Sequence, residues 1–323
     1  METSELLVEV RDLSTRFSSG GREVRAVEGV NLRIAQGQSV GIVGESGSGK
    51  TVTARSIMRL IEPPGEIVGG EIRFRGRDLL KASESEMCHI RGKEIAMIFQ
   101  DPVASLNPMS PVGKQMIEGP RWHLNLSKAR ARERAVQFLG DAQVPSPQDI
   151  MRAYPHQLSG GMCQRASIAM ALSCEPALII GDECTSALDA TIQVQVLSLL
   201  REVRQRFGTA ILLISHDLAV VARVCEYVVV MYAGQVVEEG LTSVVLTTPK
   251  HPYTQGLIGC IPKIEHRGRL PAAIEGEPPR ADRPISGCAF APRCPKAMAA
   301  CTQEPPPWRE VAADHFTRCV LAA

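Results

Sequence analysis

The chain has 323 residues, of which 44% are hydrophobic and 22% charged, so it can bury a core and form about two compact domains. Basic residues (36) and acidic residues (35) nearly cancel to a net charge of +1, which argues against nucleic acid as the main partner because phosphate-binding surfaces are usually basic. No apolar run approaches the ~20 residues of a membrane-spanning helix. The opening residues are acidic where a signal peptide would be basic and then apolar, so we expect a cytoplasmic protein.

The order of the predicted elements indicates an α/β fold. Short β-branched runs dominate the first 75 residues, helix-forming residues dominate from about 103 to 172, and apolar runs then alternate with helical patterns. Such alternation predicts parallel strands with helices on both faces. From about residue 245 the chain is rich in proline and has little periodicity, which is typical of an appended, loop-rich module. The predicted strands are 6–10, 27–34, 39–43, 71–75, 177–180, 210–214 and 227–231, and the predicted helices are 51–61, 164–172, 191–207 and 218–225.

Residues 44–51 read GESGSGKT and match the phosphate-binding P-loop pattern in full. Glycines let successive backbone N–H groups turn toward a β-phosphate, and the helix that follows presents its positive N-terminus. Lys50 can reach the β- and γ-phosphates, while the Thr51 hydroxyl can ligate Mg²⁺. The sequence therefore predicts a site for the phosphates of a nucleotide. Its predicted contacts are Gly44, Ser46, Gly47, Ser48, Gly49, Lys50 and Thr51.

Two further motifs extend this site. The apolar run LIIGDE (178–183) ends in two acids, which suits Asp182 as a Mg²⁺ ligand and Glu183 as the general base that polarises the attacking water. The segment LSGGM (158–162) opens a helix and can either bind phosphate through its N–H groups or serve as an ordinary helix cap. One γ-phosphate has no use for two such helix starts from one chain, so two chains facing head to tail are indicated.

Six motifs in this order resemble the ATP-binding subunits of ABC transporters over about residues 5–245. They are GESGSGKT (44–51), Gln100 in MIFQDP, LSGGM (158–162), LIIGDE (178–183), SALD (186–189) and His216 in ISHD. The resemblance implies an α/β P-loop ABC ATPase core with an antiparallel β subdomain and a helical subdomain at about 103–172.

The resemblance also implies roles for single residues. Gln100 would sense the γ-phosphate, join Thr51 and Asp182 as a Mg²⁺ ligand and couple the site to the membrane partner, and His216 would steady the attacking water. Phe17 would stack on adenine, although aromatic residues on strands usually pack in the core. The implied catalytic set is Gln100, Glu183 and His216. The residues implied at the seam with an opposing subunit are Ser159, Gly160, Gly161 and Asp189.

The chain departs from the family pattern at three positions. Cys184 stands where proline usually follows the glutamate, Gly181 stands where alanine is common, and Cys163 stands where arginine or serine is frequent. Without the proline ring the φ angle after Glu183 is not held. We expect a modest loss of rigidity and no loss of activity.

Further segments are similar to the ATPases of bacterial oligopeptide and dipeptide importers. These are 96–102 (AMIFQDP), 105–108 (SLNP), 154–157 (YPHQ), 231–238 (MYAGQVVE) and 251–254 (HPYT). The similarity implies an ABC nucleotide-binding domain at 1–245 and a C-terminal extension at 246–323. HPYT by itself indicates no more than a turn.

The same similarity implies the function and the partners. The chain would power import of di- or oligopeptides, with nickel or glutathione importers as alternatives. It would pair with a second, related ATPase, two transmembrane permease subunits and an extracytoplasmic binding protein, at the cytoplasmic face of the bacterial inner membrane.

Four of the ten cysteines fall within the last 36 residues. Four thiolates from a loop-rich segment suit zinc or an iron–sulfur cluster, and the lack of a C-x2-C pair makes a zinc ribbon less natural. The similar extension of dipeptide-type importers implies a 4Fe–4S cluster, with zinc or free thiols as alternatives. Any such metal would be structural, since a module with few aliphatic runs has little core of its own. These cysteines are Cys288, Cys294, Cys301 and Cys319. The other six, for which a small buried hydrophobe is expected, are Cys88, Cys163, Cys174, Cys184, Cys225 and Cys260.

Three other classes share part of these features. A DNA-repair or chromosome ATPase needs a long coiled coil between Gln100 and LSGGM, and only 101–157 lies there. Translation factors of the superfamily carry two cassettes, whereas this chain has one P-loop. A non-catalytic metal-binding module would rest on residues 288–319 alone.

Overall fold

The computed structural model describes residues 5–186, 188–261, 273–282 and 285–322. The strands are β1 (Leu6–Ser19), β2 (Arg22–Ala35), β3 (Ser39–Val43), β4 (Gly65–Phe74), β5 (Arg77–Asp78), β6 (Ile95–Ile98), β7 (Leu178–Asp182), β8 (Ala210–Ser215), β9 (Tyr227–Tyr232), β10 (Gln235–Leu241), β11 (Arg309–Ala312) and β12 (His315–Thr317). The helices are α1 (Lys50–Ile57), α2 (Glu84–Ile90), α3 (Val112–His123), α4 (Lys128–Asp141), α5 (Pro147–Ile150), α6 (Gly160–Leu172), α7 (Ala190–Phe207), α8 (Leu218–Val224), α9 (Thr242–Thr247), α10 (Pro252–Gly259) and α11 (Ala300–Gln303).

The chain divides into two units that interleave in sequence. The first unit contains Ala35–Gln38 and Lys81–Leu213, and the second contains Leu6–Ile34, Ser39–Leu80 and the described residues after 213. Each unit is described separately below.

The first unit combines parallel strands with a helical region. Strands β6 and β7 pair in parallel, with Ile95 opposite Leu178, and β7 is buried along its whole length. A parallel strand covered on both faces needs such a continuous apolar run. Between residues 103 and 172, where the sequence predicts helices, the structure has α3 to α6, a short 3₁₀ turn and no strand.

Helix α4 shows how the helical region packs. Its buried residues Ala131, Ala135, Phe138 and Leu139 are spaced four, three and one apart and form one face. Helices α3 and α6 lie against this helix. The apolar periodicity of the sequence therefore decides which side of α4 enters the core.

The second unit contains two sheets. One is antiparallel, in the order β2-β1-β4-β5, and the other runs β11-β12-β10-β9-β3. Strand β3 pairs in parallel with β9, whereas β9 with β10 and β10 with β12 are antiparallel. The last two strands, which the sequence did not predict, thus join the edge of the sheet that contains β3.

Two predicted boundaries differ from the structure for identifiable reasons. The predicted helix at 51–61 ends at Ile57, because Arg59 has a left-handed φ of +51° despite the apolar Ile61 beyond it. The strand predicted at 6–10 extends to residue 19, since antiparallel pairing with β4 continues through residues whose pattern is mostly polar.

The two departures at Gly181 and Cys184 form one packing arrangement. A Cβ atom on Gly181 would lie 3.0 Å from Cys184 Sγ and 3.2 Å from Leu213 Cδ1. Cys184 is only 2% exposed, and burial raises the pKa of its thiol to about 12. The protonated sulfur therefore fills the space that an alanine methyl at position 181 would need.

The remaining cysteines outside the C-terminal four mostly match expectation. Cys163 is fully buried and its Sγ lies 3.6 Å from the Pro155 carbonyl oxygen. Cys174 and Cys225 are also buried, whereas Cys260 is half-buried. The prediction is wrong for Cys88, which is exposed on the polar side of the short helix α2.

We expect Gly181→Ala to lower the free energy of unfolding by about 1–3 kcal/mol, because the added methyl overpacks the contact with Cys184. Adding Cys184→Ala should recover most of that loss, which chemical denaturation can measure. Gly140→Ala is the control, since a Cβ built there meets no atom within 4 Å apart from its chain neighbours and the backbone of its own helix. Strictly additive losses in the double variant would contradict the arrangement.

The half-buried carboxyl group of Glu239 predicts a pH effect on stability. Burial raises the pKa of Glu239 to about 7 from its ordinary 4.5, partly offset by a hydrogen bond with Tyr227. The folded chain then holds more protons than the unfolded chain between these two values, so stability falls as pH rises through about 4.5 to 7. Glu239→Gln should lose less stability than the parent chain between pH 5 and pH 8 in urea unfolding. Parallel losses in both proteins would refute this role of Glu239.

Candidate functional site

The phosphate loop connects β3 to α1 in the second unit. Gly49 caps α1 with a φ of +100°, and a Cβ there would lie 2.5 Å from the Ala26 carbonyl oxygen, so only glycine fits. Lys50 is 4% exposed, and its Nζ donates to the carbonyl oxygens of Gly44 at 2.8 Å and Glu45 at 2.9 Å. Ser46 and Gly47 are exposed. The loop therefore surrounds a cation and leaves its tip open to an anion.

Phe17 lies near the end of β1, also in the second unit. It pairs with Gly65 of β4, and a Cβ on Gly65 would lie 2.5 Å from Phe17 Cε1. The ring thus packs closely on a glycine, and the residue as a whole is half-buried. This placement accommodates both interpretations of Phe17, a packed core residue and a stacking surface.

His216 directly follows β8 and is exposed. The turn behind it is held by side chains, since Asp217 N donates to Ser215 Oγ at 3.0 Å and Ala219 N donates to Asp217 Oδ1 at 2.8 Å. Asp217 thereby caps α8. The structure therefore presents an imidazole at the carboxyl end of a buried strand.

In the first unit, β7 ends at the predicted acidic pair. Asp182 is 3% exposed, and Gln100 Nε2 donates to Glu183 Oε2 at 3.2 Å. The structure thus brings together two of the three predicted catalytic residues, although they are 83 positions apart.

Glu183 has an unusual backbone conformation. Its φ is +45°, a left-handed value that costs a residue with a Cβ about 1 kcal/mol or more and that is often found at functional sites. Ser186 holds this turn, since both its N–H (3.0 Å) and its Oγ (2.9 Å) donate to the Glu183 carbonyl oxygen. Sequence reasoning missed Ser186 as a support, because SALD carries no local sign of that bond.

The LSGGM segment and the aspartate of SALD (186–189, called the D-loop below) line one cavity in the first unit. Ser159 caps α6 by accepting from Met162 N at 3.3 Å, and Asp189 caps α7 by accepting from Thr191 N and Ile192 N, both at 3.0 Å. Ala187 of the D-loop lies outside the described residues. An open cavity of about 530 Å³ is lined by both segments, including Ser159, Gly160, Gly161, Arg165 and Asp189.

The four C-terminal cysteines converge in the second unit. All four line one small cavity, Cys288 N donates to the Cys301 carbonyl oxygen at 2.8 Å, and burial raises the pKa of the Cys288 and Cys319 thiols. Among the residues that the structure describes, no three His, Cys, Asp or Glu side chains already stand in positions that could hold a metal ion. The fold gathers the thiols without preforming a metal site.

Sequence reasoning also missed contacts between the C-terminal extension and the phosphate loop. Arg293 makes a two-point ion pair with Glu45, with N–O distances of 2.6 and 3.0 Å, and this pairing raises the pKa of Arg293 above its already high ordinary value. Glu45 N also donates to the Tyr253 hydroxyl oxygen at 2.8 Å. Tyr253 belongs to HPYT, which is therefore more than a turn.

In the described ranges, no helix combines the length and the apolar character that a bilayer crossing requires.

Comparison with known proteins gives the chain its family. Residues 27–186 match the family described as "ABC transporter", and residues 237–301 match "Oligopeptide/dipeptide transporter, C-terminal region". The chain is 47% identical to the oligopeptide transport ATP-binding protein OppD of Bacillus subtilis, over 98% of this chain and 88% of that protein. It is 44% identical to the dipeptide transport ATP-binding protein DppD of Escherichia coli, over 97% and 96%.

Solved structures agree with this result. A dimeric, post-hydrolysis state of the ATP-binding cassette MJ0796 bound to ADP and phosphate is 26% identical, with a TM-score of 0.66 over 73% of this chain and 98% of that one. The cassette cbiO1 from Clostridium perfringens gives 25% identity and a TM-score of 0.63, over 76% and 96%. The α/β fold with its antiparallel β subdomain is thus the predicted one, and the chain belongs to the ATP-binding subunits of the oligopeptide/dipeptide ABC transporter family.

Proposed function

We propose that the chain is the ATP-hydrolysing subunit that energises import of oligopeptides or dipeptides through a membrane ABC transporter. The observation that carries this proposal is the 44–47% identity to oligopeptide and dipeptide transport ATP-binding proteins over 97–98% of the chain. The match includes the C-terminal region as well as the cassette. Import of nickel or glutathione is the alternative for the same subunit.

The phosphate loop binds the nucleotide in this proposal. The N–H groups of residues 46–51 and the ammonium of Lys50 hold the phosphates, and Phe17 stacks on adenine. Thr51 and Asp182 supply oxygen ligands to Mg²⁺, with Gln100 as a further ligand, and the burial of Asp182 at a strand end suits that role. When bound, Mg²⁺ neutralises charge on the phosphates.

Glu183 removes the proton from the attacking water. Its carboxylate already accepts a hydrogen bond from Gln100, which limits its rotation, and the turn held by Ser186 determines where its side chain begins. His216 hydrogen-bonds the γ-phosphate and steadies the water. Because Gln100 and Ser186 already restrain Glu183, the base needs little rearrangement before it takes the proton.

Two chains complete each other's sites in this proposal. The start of α6 (Ser159, Gly160, Gly161) would contact the γ-phosphate bound to an opposing cassette, and Asp189 would lie at the seam. The open cavity that these segments line supports this arrangement, as does the dimeric state of the similar cassette bound to ADP and phosphate. The opposing chain is a related but different ATPase.

Membership of the family supports a proposal for the partners and the location. Two permease subunits and an extracytoplasmic binding protein select and carry the peptide, and this chain binds the permeases at the cytoplasmic face of the bacterial inner membrane. Residues 1–245 form the nucleotide-binding domain, with its helical subdomain at about 103–172, and 246–323 form the extension.

We also propose that Cys288, Cys294, Cys301 and Cys319 hold a 4Fe–4S cluster, with zinc as the alternative. Support comes from the donor chemistry, since four thiols line one cavity and thiolates select soft metals. Raised thiol pKa values mean that metal uptake would release protons. Such a cluster would stabilise the extension and take no part in hydrolysis.

We expect Glu183→Gln to lower ATP hydrolysis by the assembled transporter about 100-fold or more, while ATP binding persists, because the variant lacks only the base. Lys50→Ala should instead lose ATP binding, as titration with a fluorescent ATP analogue would show. Unchanged peptide transport by the Lys50→Ala variant would refute the ATPase assignment and favour a non-catalytic binding module.

Anaerobic purification tests the cysteine proposal. We expect a brown protein with equal amounts of iron and acid-labile sulfide, and loss of both in Cys294→Ser with a lower unfolding temperature. Cys88→Ser is the control, since Cys88 is exposed and far from the set in sequence. A colourless protein containing zinc would replace the cluster with the alternative, and a metal-free protein would remove both.

A further inference from the structure

The acidic residue of the phosphate loop, Glu45, is held by the C-terminal extension through two different groups. Its carboxylate accepts hydrogen bonds from both terminal nitrogens of Arg293, and its backbone N–H donates to the Tyr253 hydroxyl oxygen. Its carbonyl oxygen accepts from Lys50 Nζ. Ser48 N also donates to that carbonyl oxygen, at 3.2 Å. Every polar group of Glu45 therefore has a partner, and two of its four partners, Arg293 and Tyr253, come from beyond residue 250.

Arg293 is itself held rigidly. Its Nε donates to the Glu275 carbonyl oxygen at 3.0 Å, and one terminal nitrogen donates to the Ile274 carbonyl oxygen at 3.1 Å. The other terminal nitrogen lies 3.3 Å from the Tyr232 hydroxyl. The side chain is 5% exposed. These partners fix the orientation of the guanidinium, so its ion pair with Glu45 is directional. Because the side chain is buried, solvent ions screen this pair weakly.

Tyr253 is equally constrained. It is fully buried, and its ring packs 4.6 Å from the ring of Tyr232 and 5.3 Å from that of Phe290. Its hydroxyl therefore stands at a defined place as the acceptor for Glu45 N–H. Phe290 and Arg293 lie three residues apart around a short 3₁₀ turn, so one aromatic cluster supports both contacts.

These contacts act on the loop before any nucleotide arrives. Glu45 immediately precedes the exposed residues Ser46 and Gly47, and Ser48 N donates to the Glu45 carbonyl oxygen at 3.2 Å on their far side. Holding Glu45 therefore limits where the phosphate-binding N–H groups can lie. When a loop adopts its binding-competent conformation only part of the time, its apparent affinity for the ligand is reduced in proportion to that fraction.

We propose that Arg293 and Tyr253 are positioning residues for the phosphate loop, through which the C-terminal extension sets the affinity of this chain for ATP. The inference rests on the proposed nucleotide site. It gives the extension a direct role in that site, separate from any metal that its cysteines hold.

The test compares ATP affinity with turnover. Arg293→Met and Glu45→Gln should each raise the dissociation constant of the full chain for a fluorescent ATP analogue about tenfold, and the double variant should be no weaker than the weaker single variant, because both changes break one interaction. In the assembled transporter KM for ATP should rise similarly while kcat at saturating ATP changes less than about twofold, since bound nucleotide orders the loop.

Tyr253→Phe and Arg309→Met complete the set. Tyr253→Phe keeps the buried ring and removes only the acceptor, so it should fold normally and bind ATP several-fold more weakly. Arg309 is an exposed arginine of β11 in the same extension, and Arg309→Met should bind ATP as the parent chain does.

Two results would overturn the proposal. One is unchanged ATP affinity in Glu45→Gln and Tyr253→Phe, which would leave Arg293 with a role in the extension alone. The other is a loss of kcat without a change in KM. Lys50→Ala separates this failure from failure of the proposed function, since an intact Lys50→Ala affinity would refute the nucleotide site itself.

Discussion

A loop that binds phosphate through its own N–H groups cannot also use those groups to keep its shape. Other groups must hold its shape, and the second unit provides three such supports. Strand β3, which leads into the loop, is buried along its whole length. Gly49 caps α1 beneath a backbone carbonyl that leaves no room for a side chain. The Lys50 ammonium donates to two carbonyl oxygens of the loop. The contacts of Arg293 and Tyr253 with Glu45 add a fourth support from the C-terminal region.

The first unit also combines a backbone held by hydrogen bonds with a side chain proposed to act on the substrate. Glu183 sits in a left-handed conformation that Ser186 stabilises, and Gln100 contacts its carboxylate. Behind it, Cys184 fills the space left by Gly181. The cysteine and the glycine therefore fit each other, since the buried sulfur occupies the space beside Gly181.

Much of the nucleotide site was predictable because its chemistry is local. A strand, a glycine-rich loop and a helix are adjacent in the chain, so the motifs GESGSGKT and LIIGDE are enough to predict the local backbone arrangement. The contacts that were missed join distant positions, and Arg293 and Glu45 are 248 residues apart. No composition or period links two such residues. The left-handed Glu183 was missed for another reason, since nothing in its neighbours' side chains announces that conformation.

The C-terminal extension is also joined to the sheet by a buried carboxylate. Glu238 of β10 has no exposure and accepts from Lys250 N and His251 N, and its Oε1 lies 2.7 Å from His315 Nε2 of β12. Strand β12 covers β10 along the same edge. Removing residues 246–323 would therefore leave the edge of β10 unpaired and take from Glu238 all three of these partners, a combination that favours aggregation over a usable fragment.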